Sequence, residues 1–236
     1  MVSIMTLFTH DFADLADCRV RTLANADYTA THEAMLNTIL AKINQKNSGT
    51  PLPDELWLVE HNDVYTLGQA GKHEHILQHT TTPVIQTDRG GQVTWHGQGQ
   101  LVAYFLFDLQ ALGFGVRDLV SHAEQAIEDV ITPYLPANLY AKARKDAPGV
   151  YIFQDNGTLI GKIASLGFKI KHGHSYHGIA INLTNDLHAF TAINPCGYAG
   201  MSMLRLADFT TLDSTVFINA LLDNIAKRRQ GQITLR

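Results

Sequence analysis

The chain has 236 residues, 45% of them apolar and 17% charged, with a formal net charge of −4. That balance describes a globular protein with a full hydrophobic core, and it lacks the net basic surface of a general nucleic-acid binder. The apolar run LVAYFLF at 101–107 is too short to cross a bilayer, and the start, MVSIMTLFTHDF, has no basic region of a secretory signal. Two distant cysteines, Cys18 and Cys196, make no disulfide framework, so free thiols in a cytoplasmic protein, with no membrane or nucleic-acid partner, are expected.

Residues 4–8 read as a strand. Tyr28, Met35, Leu36, Ile39, Leu40 and Ile43 recur at helical spacing and predict a helix over 28–43. The breaker-rich stretch 44–53 predicts a loop, and 55–61 and 83–87 predict strands. Residues 101–107 are apolar at every position, as in a strand covered on both faces. A second amphipathic helix is predicted over 116–134, with Val116, Leu119, Val120, Ala123, Ile127, Val130, Ile131 and Tyr134 on one face. After Pro148 and Gly149 the sequence becomes β-rich, with VYIF, then 159–170 and 176–183. A last helix is predicted from a cap near Asp213 or Ser214 to Lys227–Arg229. Helices and strands mix without strict alternation and without a linker, which predicts a single α+β domain over residues 1–236.

Several motifs fail. GQAGKH (68–73) lacks the upstream glycine and the Ser or Thr of a phosphate loop, and GQGQLV (97–102) lacks the third glycine of a dinucleotide fingerprint. Ile163 occupies the first glycine position of a serine-hydrolase elbow. The histidine runs 72–79 and 171–177 invite a metal, but His172 and His174, read as sharing a strand face, are too few for a closed zinc site, so no metal is expected.

Others hold. In DRGGQVTWHGQGQ (88–100), glycines bracket an aromatic residue and a histidine just before a buried strand. That density suits close approach of a ligand to backbone or, equally, the turns of a hairpin; Arg89 and His96 are its candidate polar contacts. In LIGKIASLGFKI (159–170), strand alternation puts Lys162 on the face of Ala164, Leu166, Phe168 and Ile170, where a charge either snorkels outward or is held for chemistry. In YHGIAINL (176–183), His177 falls with Ile179 and Ile181, whereas Gly178 and Ala180 open the other face to a ligand or a packed helix. Cys196, in the turn NPCGYAG (194–200), has the setting of an accessible thiol, which pairing with a lysine cation such as Lys162 would make a nucleophile; Cys18 has no comparable setting.

These segments, in this order, resemble the octanoyltransferases of lipoate biosynthesis. The resemblance runs from ELWLVEH through NPCGYAG and includes APGVY and HGIAINL. It implies mixed β-sheets flanked by helices, similar to the catalytic domain of biotin- and lipoate-protein ligases. It also implies ping-pong acyl transfer without ATP or a cofactor. Octanoyl-acyl carrier protein is the implied donor, and lipoyl domains of 2-oxoacid dehydrogenase complexes and the glycine cleavage protein are the implied acceptors. By position, Cys196 matches the acyl-accepting cysteine and Lys162 its activating lysine, acting as base or as cation. Arg89, Gly90, Gly91, Gln92, Val93, Thr94, Trp95 and His96 match the substrate-binding loop. Ser165, Leu166 and Gly167, and Gly178, Ile179 and Ala180, match two further substrate-binding segments. Gln98 departs from the family's proline. Two other readings lead to different experiments: an ATP-dependent lipoate or biotin ligase, and a non-catalytic protein docking acyl carrier or lipoyl domains. Arg144, Lys145, Lys169 and Lys171 are candidates for a basic docking patch.

Overall fold

Apolar side chains on both faces of the central strands require cover on both sides, and the fold supplies it. A computed structural model of the chain describes residues 15, 17–198 and 200–236; the strand expected over 4–8 lies outside them. Strands β1 (Cys18–Ala26), β2 (Asp54–His61), β3 (Val64–Leu67), β4 (Val84–Gln86), β5 (Val93–His96), β6 (Gln100–Leu106), β7 (Leu139–Ala143), β8 (Val150–Gln154), β9 (Leu159–Lys171) and β10 (His174–Asn182) form two sheets. Helices are α1 (Tyr28–Asn47), α2 (Leu109–Leu112), α3 (Val116–Ile131) and α4 (Ser214–Arg229).

The seven-stranded sheet has the order β1-β2-β6-β10-β9-β8-β7 and the three-stranded sheet β4-β3-β5. Parallel pairing of β1 with β2 and of β3 with β4 makes both sheets mixed. Leu56, Leu58, Leu101, Ala103, Phe105, Ile179 and Ile181 share one core with the apolar faces of α3 and α4. On the opposite face Trp57, Val59, Val102, Tyr104 and Ala180 pack with Met35 and Ile39 of α1. The small sheet has its own core, containing Tyr65, Leu67, Val93 and Trp95. This is the expected α+β arrangement.

Three local expectations are corrected. The first helix runs on to Asn47: its polar last turn has no apolar signal, but Lys46 reaches Asp108 at 2.6 Å, and the Ser48 and Gly49 N–H groups close the end on the Asn44 and Lys46 carbonyls. The helix expected over 116–134 stops at Ile131; Thr132–Tyr134, with Pro133 lacking an N–H, tighten into a 3₁₀ turn. His172 and His174 share no strand face, because His172 (φ 46°) and Gly173 (φ 80°) form the two-residue turn joining β9 to β10.

Candidate active site

The β9–β10 hairpin places two short segments of the sequence against each other. In register, Ser165 faces Ala180, Leu166 faces Ile179 and Gly167 faces Gly178. All six residues line one largely apolar cavity of about 350 Å³, within the range of small-molecule sites. The glycine-rich loop covers it. Gly90 donates its N–H to the Phe168 carbonyl at 3.2 Å, and a side chain on Gly167 would put its Cβ 2.8 Å from the Gly90 carbonyl oxygen. The two backbones cross where only glycine leaves room.

Within that loop, Arg89, Gly90, Gly91, Gln92, Val93, Thr94 and His96 reach the cavity, and Trp95 does not. Trp95 sits in strand β5, whose alternation sends it with Val93 into the core of the small sheet, edge-on to Phe190. The Arg89 guanidinium braces the loop, donating to the Thr66 and Gln92 carbonyls at 2.6 and 2.7 Å and to Thr66 Oγ1. His96 is buried on Gln100 Oε1 at 2.7 Å, and burial, foremost, depresses its pKa to about 3. Gln98, the departure from the family motif, caps an exposed turn and donates to Asn25 Oδ1 at 3.0 Å.

Lys162 is 1% exposed, and its face differs from the one simple alternation predicts. Val150 pairs with Ala164 but Tyr151 pairs with Lys162, so Ile163 is an extra residue on β9. Ile163 and Ala164 consequently both enter the main core, and Lys162 is turned to the other face, toward the cavity. Its Nζ donates to the Pro148 carbonyl at 2.8 Å and lies 5.2 Å from the centre of the Tyr151 ring. Glu124 accepts the N–H of Gly149 at 2.9 Å, which fixes that carbonyl in place. Burial raises the pKa of Glu124.

Cys196 lies in the 3₁₀ turn Pro195–Gly197; its side chain is outside the described residues. The turn is placed from two sides. Asn194 donates its N–H to the His75 carbonyl at 2.8 Å, and a Cβ on Gly197 would lie 3.3 Å from Gln92 Cγ. Tyr198, two residues after Cys196, lines the same cavity as Lys162. Cys18 is a buried free thiol whose pKa burial raises to about 12.

The matching relatives point one way. The lipoyl protein ligase A/B catalytic domain matches residues 29–226. An octanoyltransferase of Psychrobacter cryohalolentis is 54% identical, with 92% of each chain covered, and one of Acinetobacter baylyi is 56% identical over 66% of this chain and 67% of its own. The chain belongs to the octanoyltransferases of this family. Among solved structures, LipL1 of P. falciparum in complex with lipoate superposes with a TM-score of 0.63 at 14% identity, covering 92% of this chain and 62% of that one. Lipoate-protein ligase A bound with ATP gives 0.58 at 13%, covering 93% and 87%. At those identities the likeness establishes the shared ligase fold.

Other residues of this octanoyltransferase-family chain reach the cavity without a signal in their own segment. Tyr28, Val116 and Val120 read as core stripes of helices, yet all three line it. Asp88, the first residue of the glycine-rich motif, accepts from Tyr176 and His177, and hydrogen bonding from His177, foremost, holds its carboxyl far below the usual range. Strand alternation would send Tyr176 and His177 to opposite faces; a left-handed backbone at His177 (φ 57°) brings both onto Asp88.

Proposed function

We propose that the whole chain is one cytoplasmic acyltransferase unit moving an octanoyl group from octanoyl-acyl carrier protein to lipoyl-domain lysines, through a thioester on Cys196. One observation carries this reading: Lys162, the hairpin triplets, the glycine-rich loop and the residue two positions beyond Cys196 all line a single apolar cavity. An octanoyl chain is the kind of ligand such walls favour, since its burial is driven by removal of apolar surface from water. Among the described residues no helix is long and apolar enough to cross a membrane.

In the first half-reaction the Cys196 thiolate attacks the thioester carbonyl. A new C–S bond forms, the bond to the carrier thiol breaks, and the carrier sulfur leaves and takes up a proton. In the second, a neutral lysine ε-amine of a lipoyl domain attacks the acyl-enzyme, a C–N bond forms, Cys196 leaves as thiolate and the ammonium proton is lost. Lys162 acts as the cation that favours thiolate: the Pro148 carbonyl and the Tyr151 face are both partners for an ammonium. Arg144, already paired with Asp146, and its neighbour Lys145 stand in the loop before Ala147 and Pro148 of the cavity wall, on the side proposed for docking an acidic carrier, with clients from 2-oxoacid dehydrogenase complexes and the glycine cleavage system.

The test is intact-protein mass after mixing with octanoyl-acyl carrier protein in the absence of ATP, followed by peptide mapping. An octanoyl adduct on Cys196 that clears when a lipoyl domain is added is the expected result. Modification of the lipoyl domain only with ATP and free octanoate would make the chain a ligase instead.

A further inference from the structure

Beside the cavity, and unused by the chemistry above, three side chains from distant parts of the chain meet. His32 comes from α1, Asp88 from the start of the glycine-rich loop, and His177 from β10. His32 Nε2 lies 3.0 Å and His177 Nε2 2.8 Å from the same oxygen, Asp88 Oδ1. The ligating atoms of all three fall within 4.8 Å of one another. The two imidazoles are stacked, with ring centroids 5.2 Å apart and planes 18° from parallel.

From this geometry we infer a binding site for a divalent ion of the zinc class, with His32 Nε2, His177 Nε2 and Asp88 Oδ1 as its three protein ligands. Neighbouring ligands of an ion with bonds of about 2.0–2.1 Å stand roughly 3 Å apart, close to the separation of each imidazole nitrogen from Asp88 Oδ1. Two imidazoles and one carboxylate suit zinc, cobalt or nickel better than calcium or magnesium, which take oxygen donors. The carboxylate is oriented from behind by the Tyr176 hydroxyl on Oδ2, the kind of outer support that ligating carboxylates have. The left-handed backbone at His177 is what delivers its ring to this point. An ion can enter from solvent, because the Asp88 side chain is 37% exposed and that of His32 is 25% exposed.

Binding displaces the proton shared between each imidazole and the carboxylate. In His177 the ring proton then resides on Nδ1, for which the described residues supply no acceptor. That cost makes the site weaker than a structural zinc centre and suits reversible occupancy. Because His177 and the loop beginning at Asp88 both belong to the cavity wall, an ion here fastens the loop to β10 and α1.

The experiment uses the full chain, stripped with a chelator and titrated with Co²⁺ and with Zn²⁺. We expect one saturable ion per chain, a visible Co²⁺ spectrum without thiolate charge-transfer bands, and a Zn²⁺-dependent rise in melting temperature. His32→Ala and the near-isosteric Asp88→Asn should each weaken Zn²⁺ binding at least tenfold and abolish the thermal shift, while Cys196→Ser leaves both unchanged. His32 is partly exposed on its helix, so its variant also reports where Asp88→Asn perturbs the loop. Absence of stoichiometric binding would overturn the site. So would binding that survives both substitutions, or a spectrum that disappears with Cys196→Ser and so places the ion at the nucleophile.

Discussion

Lys162 shows how much a single amine is worth in this fold. A lysine with 1% exposure gives up its hydration, and the Pro148 carbonyl and the Tyr151 ring are among the groups that face its ammonium instead. On the proposed reading, its charge serves the thiolate of the cysteine turn. Lys162→Met keeps the length and apolar stem while deleting the charge. We expect the folded state to persist, because the buried ammonium is replaced by an apolar group, and the rate of octanoyl-enzyme formation to fall by about a hundredfold or more. Stopped-time mass spectrometry of the adduct measures this directly. An unchanged acylation rate with a higher melting temperature would reduce Lys162 to a structural residue.

At the scale of elements, the site depends on the crossing of the glycine-rich loop over the β9–β10 hairpin. Gly167→Val would drive a branched side chain against the Gly90 carbonyl, which already lies 2.8 Å from the position of a Cβ. The loop must lift or the strand must yield, so we expect a loss of about 1–3 kcal/mol in unfolding free energy together with slower acylation. Denaturant unfolding and adduct formation on the same variant check both. The elements themselves were largely legible: the stripes from Tyr28 to Ile43 and from Val116 to Ile131 carry a helical period, and the run at 101–107 is apolar throughout. The two hairpin triplets were legible as motifs, but their direct pairing depends on the two-residue turn at His172–Gly173. What alternation missed are the places where the backbone departs from it. The extra residue Ile163 turns Lys162 to the cavity, and the left-handed His177 turns with Tyr176 onto Asp88. Trp95 stays out of the cavity because the second half of 89–96 is a strand whose alternation turns it into the small-sheet core. The meeting of His32 with Asp88 and His177 joins three segments far apart in sequence, and no local pattern announces it.

For the whole molecule, buried histidines make stability depend on pH. His61 is fully enclosed, with Nε2 on the Tyr104 hydroxyl at 2.7 Å, and burial, foremost, lowers its pKa to about 4; that of His96 falls to about 3. Both are neutral when folded, whereas in the unfolded chain they titrate near 6.5. Between those values the unfolded state binds more protons, so the stability contributed by each is fully present above pH 6.5 and is lost as pH falls toward the folded value. The slope approaches about 1.4 kcal/mol per pH unit for each histidine. Glu124 opposes this: burial raises its pKa, so the folded state takes up a proton there before the unfolded state does. His122 and His177 are also held below the ordinary histidine value, chiefly by burial, so four histidines against one raised carboxyl leave a net loss on acidification. Urea unfolding at pH 7.5, 6.5 and 5.5 should therefore show falling stability before the unpaired carboxylates titrate, and His61→Gln should flatten the slope. An equal slope in that variant would move the source of the pH dependence away from His61.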